Sequence, residues 1–161
     1  MGRVVGRSEL FEIRQRLKNE GKTVVFTNGC FDILHRGHVE YLASAKAMGD
    51  VLIVGVNTDD SVRRIKGDSR PVVGEEDRAL VVAALASVDY VTLFGEDTPL
   101  ELIRFLVPDI LVKGADWPIE KVVGRDIVEA AGGSVKTISI VPNRSTSAII
   151  QKILHSVGSE R

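Results

Sequence analysis

Cysteine and tryptophan each occur once in the 161 residues, methionine twice, and aromatic side chains make up 5% of the chain. The lone Cys30 excludes an internal disulfide and fits a reducing compartment, so a cytoplasmic protein is expected. So few aromatics provide no stacking platform for single-stranded nucleic acid. Charge of one sign is also missing: 21 Lys and Arg face 22 Asp and Glu, and no global field draws the chain onto nucleic acid or an anionic membrane. An anionic ligand must therefore be held by local cations. No apolar run reaches the ~18 residues of a membrane span, and residues 1–21 contain no apolar signal-peptide core. Three nucleotide or hydrolase motifs are absent: G-x-x-x-x-G-K-[ST], G-x-G-x-x-G after the first strand, and G-x-S-x-G. Their absence weighs against a P-loop, a dinucleotide-dependent dehydrogenase and a serine hydrolase.

The chain does have the apolar content of one compact domain, 44% hydrophobic with 27% charged. Runs rich in Val, Ile and Leu recur at Thr23 to Thr27, Val51 to Val56, Tyr90 to Phe94, Ile110 to Lys113 and Ser134 to Ile140. They are too continuously apolar for a sheet wetted on one face, and the intervals between them accommodate crossover helices. The expectation is a three-layer α/β, Rossmann-like doubly wound sheet of five mainly parallel strands with helices on both faces. Ser8 is positioned to cap a helix over 9–19, and Thr98-Pro99-Leu100-Glu101 reads as a cap, a first-turn proline and a capping-box glutamate. Gly132-Gly133 closes a helix near Ala131. No repeat or linker interrupts the chain, so 1–161 reads as a single domain, with 1–21 a lead-in and 23–154 the catalytic core.

Directly after the first strand stands Thr27-Asn28-Gly29-Cys30-Phe31-Asp32-Ile33-Leu34-His35-Arg36-Gly37-His38, followed by a helical pattern through Val39, Leu42, Ala43 and Lys46. This strand-to-helix turn falls at the carboxyl edge of the sheet, where open α/β sheets bind ligands. Gly29 and Gly37 permit close backbone approach, and free N–H groups of the helix start favour an anion. His35 and His38, three apart, can donate to phosphate oxygens together. Taken alone, His35 reads as a helix cap and His38 as a satisfied surface residue rather than as ligand contacts. Joined to the glycine turn, the strand and the helix, the pair reads as a polyphosphate site. Cys30, His35 and His38 match no zinc spacing, so no protein-held metal is expected. Cys30 reads instead as a small apolar residue beside the site, and Asp32 as a loop-fixing acceptor rather than a general base.

Five cations lie between Arg63 and Arg78: Arg63, Arg64, Lys66, Arg70 and Arg78. Arg63 and Arg64 read as either a solvated face or ligand contacts. Lys66 sits beside Gly67, and Arg78 opens an apolar helix; both are assigned phosphate roles. Lys113-Gly114-Ala115-Asp116 ends the fourth strand, where Lys113 and Asp116 can meet ribose, base or phosphate, or belong to an exposed loop. Pro142-Asn143-Arg144-Ser145-Thr146-Ser147 precedes the last helix, and its hydroxyls serve as a helix cap or as a phosphate cradle.

The string from Gly29 to His38 resembles the H-x-G-H signature of the cytidylyltransferase-like nucleotidyltransferases. Thr27 to Leu42, Val56 to Lys66-Gly67, Arg70-Pro71-Val72 with Arg78, Leu111 to Asp116 and Ser145-Thr146-Ser147 with Ile149-Ile150 are similar to the adenylyltransferase domains of ADP-heptose synthases. The resemblance runs from about Thr23 to Leu154 and departs at Ser145-Thr146-Ser147, where Ser-Thr-Thr is usual. It implies transfer of AMP from ATP, with Mg2+, to D-glycero-β-D-manno-heptose 1-phosphate in surface-glycan assembly, by a homodimer served by a separate heptose kinase. It makes His35, His38 and Lys66 catalytic. Thr27, Asn28, Gly29, Cys30, Phe31, Arg36, Gly37, Arg78, Lys113, Gly114, Asp116, Arg144, Ser145, Thr146 and Ser147 become nucleotide-binding. A cytidylyltransferase acting on glycerol 3-phosphate, and a nucleotide-binding module without turnover, remain the alternatives.

Overall fold

The computed structural model describes residues 1–139, 141–142 and 144–158. Ile140 and Asn143, assigned above to a strand end and to the approach to the last motif, lie outside them. In chain order the elements are β1 (Arg3–Val4), α1 (Arg7–Asn19), β2 (Val24–Gly29), α2 (Arg36–Lys46), β3 (Val51–Asn57), α3 (Asp59–Lys66) and α4 (Glu75–Ala83). There follow β4 (Tyr90–Phe94), α5 (Leu100–Leu106), β5 (Ile110–Gly114), a single 3-10 turn (Ile119–Lys121), α6 (Arg125–Ala130), β6 (Ser134–Ile138) and α7 (Thr146–Gly158).

The strands form one sheet in the order β1-β4-β3-β2-β5-β6, and every pairing is parallel. Five of the six correspond to the apolar runs. The sixth, β1, has two exposed residues, Arg3 and Val4, paired with Tyr90 and Val91, and is too short to leave a periodic signal. The continuous apolar runs are explained by two cores. Val24, Phe26 and Ile53 pack on one face with α1, α5 and α6. Val25, Leu52, Val54 and Val56 pack on the other with α2 and α4. Successive side chains of a strand point to opposite faces, so a sheet covered on both sides is apolar at every position.

Helix starts differ from the reading at two places. Helix α1 begins at Arg7 behind Gly6 with no side-chain cap, so Ser8 lies inside the first turn. Helix α5 begins after Pro99, also without a side-chain cap, and Glu101 pairs forward with Arg104 instead of reaching back. Gly132, at φ +85°, follows the end of α6 as expected, because a left-handed residue there is cheap only for glycine.

Chain direction around β2 creates the site. From β2 the chain crosses to β3 on one side, whereas β5 returns on the other, so a crevice opens between the carboxyl ends of β2 and β5.

Candidate active site

A cleft of about 390 Å³ occupies that crevice. One wall is the turn from Asn28 to Asp32 together with His35, Gly37, His38 and Tyr41; facing it are Lys66 and Arg70, the loop Lys113, Gly114, Asp116 and Trp117, and the run from Arg144 to Ser147. Its size suits a nucleotide.

The turn is held by close packing and local strain. Phe31 adopts φ +47°, a left-handed conformation costly for an aromatic residue, and its ring lies 5.4 Å from that of His38. A Cβ on Gly29 would come within 3.0 Å of the Phe31 ring, so the turn needs glycine there. Asp32 is buried; its Oδ1 accepts from the Val72 and Val73 amides at 2.8 and 2.9 Å, and its Oδ2 from Arg70 Nε at 2.6 Å. Burial pushes this carboxyl up, but the bonds from Val73, Val72 and Arg70 outweigh it and hold it below the usual range. The residue is a loop-fixing acceptor in the geometry as in the sequence reading.

His35 is the N-cap of α2, and its Nδ1 accepts from the Gly37 amide at 3.1 Å. His38 Nδ1 lies 3.4 Å from the backbone N–H of His35. An acceptor at Nδ1 puts the proton of a neutral imidazole on Nε2, so both rings present an Nε2–H donor. The rings stack with centroids 3.9 Å apart. Burial, then the charges of His35 and Lys66, pushes His38 down to about 4. Burial and the Arg144 charge push His35 down as well. Near neutrality both imidazoles are uncharged, and each donates through its Nε2–H. Gly37 is buried in the first turn, where a Cβ would meet the His35 ring at 3.0 Å.

Lys113 bridges the crevice, its Nζ donating to Asn28 Oδ1 at 2.7 Å. Burial lowers it to about 8, against the opposing pull of Cys30 and Asp116. Cys30 itself is half-buried in the cleft wall. At α7, Ser145 Oγ accepts from the Ala148 amide at 3.1 Å, and Thr146 Oγ1 donates to the Ile33 carbonyl at 3.0 Å, which ties the last helix to the histidine turn. Of the two roles read from the sequence, the Ser145 hydroxyl takes that of the cap, and the same run lines the cleft.

Three expected ligand contacts are not in the cleft wall. Thr27 is fully buried beneath it, its Oγ1 2.7 Å from the Tyr41 hydroxyl. Arg36 points to solvent and pairs with Glu40, because the first residue of α2 faces away from the sheet. Arg78 is buried, donating from Nε to Val73 O, from Nη1 to Cys30 O and from Nη2 to Asp59. Its guanidinium is a strut behind the turn, with no edge left for phosphate. Conversely, Tyr41 and Trp117 line the cleft unannounced. Tyr41 continues the three-residue spacing of His35 and His38, which is the signal that marks it. Trp117 closes the loop after β5 and is half-exposed.

Comparison with known proteins identifies the family. The sequence pattern described as Cytidylyltransferase-like covers residues 26–152. The chain belongs to the cytidylyltransferase-like family. Among relatives, the "Bifunctional protein HldE" of Citrifermentans bemidjiense is 61% identical over 141 residues, 88% of this chain and 29% of that protein. The protein of the same name from Syntrophotalea carbinolica is 55% identical over 148 residues, 92% of this chain and 30% of that one. The chain thus spans under a third of the length of these curated relatives. A solved structure, the lipopolysaccharide core biosynthesis protein from Thermoplasma volcanium GSS1, is 32% identical with TM-score 0.62, covering 75% of this chain and 98% of that one. The matched cytidylyltransferase-like region runs from β2 into α7 and so contains every segment of the cleft wall.

Proposed function

We propose that this cytidylyltransferase-like chain is an adenylyltransferase that moves AMP from ATP to D-glycero-β-D-manno-heptose 1-phosphate, forming ADP-heptose and pyrophosphate. The observation that carries the reading is the pair of stacked neutral histidines, each presenting Nε2–H to a cleft ringed by Lys66, Lys113 and Arg144. Such a set is made for a polyphosphate that changes its charge distribution during reaction. The similarity to the HldE proteins, and to a protein named for lipopolysaccharide core biosynthesis, supports a sugar phosphate as acceptor.

A sugar phosphate has a second pKa of about 6 and is anionic near neutrality, so its oxygen can attack the α-phosphorus without a protein base. The new P–O bond forms there as the bond to the bridging α–β oxygen breaks and pyrophosphate departs with that electron pair. What the chain supplies is alignment and charge stabilisation. His35 and His38 donate to the α-phosphoryl oxygens, Lys66 and the 144–147 run hold pyrophosphate or acceptor phosphate, and Lys113 with Gly114 and Asp116 borders the nucleoside. Asn28, Gly29, Cys30, Phe31 and Gly37 shape the wall through their backbone.

Magnesium would enter with the triphosphate and keep several of its waters. Asp116 lines the cleft and would hold the ion or its waters, whereas Asp32 is already spent on Arg70, Val72 and Val73; the ion would supply charge neutralisation at the phosphate oxygens. A single catalytic unit over 1–161, acting as a homodimer with heptose kinase activity upstream, completes the proposal. No helix among the described residues is long and apolar enough to cross a membrane.

The test is pyrophosphate release with ATP, CTP or GTP, each paired with heptose 1-phosphate or glycerol 3-phosphate. Release confined to ATP with heptose 1-phosphate is expected. Release with CTP and glycerol 3-phosphate would replace the substrate assignment, and nucleotide binding with no release in any pairing would replace catalysis with a binding role.

A further inference from the structure

The loop between α3 and α4 contains one arginine at its middle, and the next helix contributes a second; the fold uses the two in opposite ways. Arg78 is wholly enclosed and all three of its nitrogen positions are spent on Val73, Cys30 and Asp59. Arg70 lines the cleft with 12% of its side chain exposed, and only its Nε is engaged, by Asp32. Among the described residues neither terminal nitrogen of Arg70 has a hydrogen-bond partner. Its free edge therefore offers two parallel N–H donors at the spacing of two phosphate oxygens.

Asp32 is built to aim that edge. Its side chain is 1% exposed, and the two amides that bond its other oxygen belong to Val72 and Val73, just beyond Arg70 in the loop. One carboxylate thus fixes both the backbone of the loop and the root of the guanidinium. A long cation fixed in this way loses little further freedom when it meets an anion. The pairing also offsets the cost of holding Asp32 ionised out of water.

We propose that Arg70 is a phosphate-binding fork of this cleft and that Asp32 is the positioning residue that aims it. The proposal rests on the reading of the cleft as a polyphosphate site. The phosphate belongs either to the nucleotide or to the acceptor, and the same fork chemistry serves both.

The experiment is calorimetric titration of the full chain with sodium tripolyphosphate and with ATP, alongside the KM for heptose 1-phosphate. The proteins compared are wild type, Arg70→Lys, Arg70→Gln, Asp32→Asn and the double variant Asp32→Asn/Arg70→Gln. Arg70→Gln is expected to weaken one ligand about tenfold, and Arg70→Lys nearly as much, because lysine retains charge but not the fork. Loss with tripolyphosphate and ATP assigns the nucleotide; a raised KM for heptose 1-phosphate with unchanged ATP binding assigns the acceptor. Asp32→Asn should weaken the same ligand, and the double variant should be no worse than Arg70→Gln alone. Wild-type behaviour of Arg70→Gln toward all ligands overturns the fork, and additive losses overturn the role of Asp32. If Asp32→Asn does not fold, Asp32→Glu, which retains the charge but moves it, is read in the same titrations. Tripolyphosphate binding without turnover in the wild type would reject the heptose substrate and leave the fork standing; no binding would reject both.

Discussion

At the two histidines, the hydrogen bonds that shape the start of α2 also set the chemistry of the cleft. Each Nδ1 is occupied by a backbone amide, so each Nε2–H is the group left for a ligand. His38→Ala should lower kcat by about a hundredfold or more while ATP affinity changes only a few-fold, since a donor aimed at developing charge acts mainly in the transition state. Parallel loss of kcat and affinity in stopped-flow and binding measurements would count against that role. Gly37→Ala separates helix from chemistry. Alanine favours a helix by about 1 kcal/mol over glycine, yet its Cβ would press on the His35 ring at 3.0 Å. The expected result is a melting temperature near wild type with kcat/KM down about tenfold through misplacement of the ring; unchanged kinetics would show that His35 moves aside freely.

At the scale of elements, the cleft depends on ties between segments far apart in sequence. Thr146 joins α7 to the histidine turn through Ile33, Lys113 joins β5 to β2 through Asn28, and Arg78 joins α4 to the turn through Cys30 and to α3 through Asp59. Arg78→Met should cost about 3–5 kcal/mol in urea unfolding, because it leaves Asp59 and two carbonyls without their buried partner. If Arg78 instead met phosphate, the variant would bind nucleotide weakly at nearly wild-type stability. The reading from sequence assigned it to the ligand because cation, helix start and neighbouring acids look alike for a strut and for a phosphate contact. The distinction is burial, which depends on where α3 and the glycine turn arrive. For Tyr41 the signal was the three-residue spacing; for Trp117 nothing local separates a cleft residue from an exposed loop.

Across the whole molecule, the cleft imposes a pH dependence on stability. His38 falls from the ordinary 6.5 to about 4 on folding, and His35 shifts the same way. Between these values the unfolded chain binds protons that the folded chain refuses, so stability is fully present above pH 6.5 and is lost as pH falls toward 4. Melting temperatures across this window should drop more steeply for wild type than for His38→Ala. Equal slopes would mean that the imidazole titrates without hindrance in the fold. Asp32, held low by its bonds, adds its own loss only at more acid pH.

What the sequence determined by itself was local or repetitive. Strands buried on both faces leave runs of Val, Ile and Leu, and a glycine turn entering a helix with H-x-G-H has a spacing that few other structures require. These established the parallel α/β sheet and the loop that carries the histidines. Tertiary structure decided everything that depends on which segments meet. It placed β5 rather than β3 across the crevice from Lys113's partner Asn28, turned Arg36 outward, buried Arg78 and brought Arg70 against Asp32. A side chain's type and spacing fix what it can bond; only the packing of elements distant in the chain fixes which of those bonds the protein has already made, and so which donors remain for a ligand.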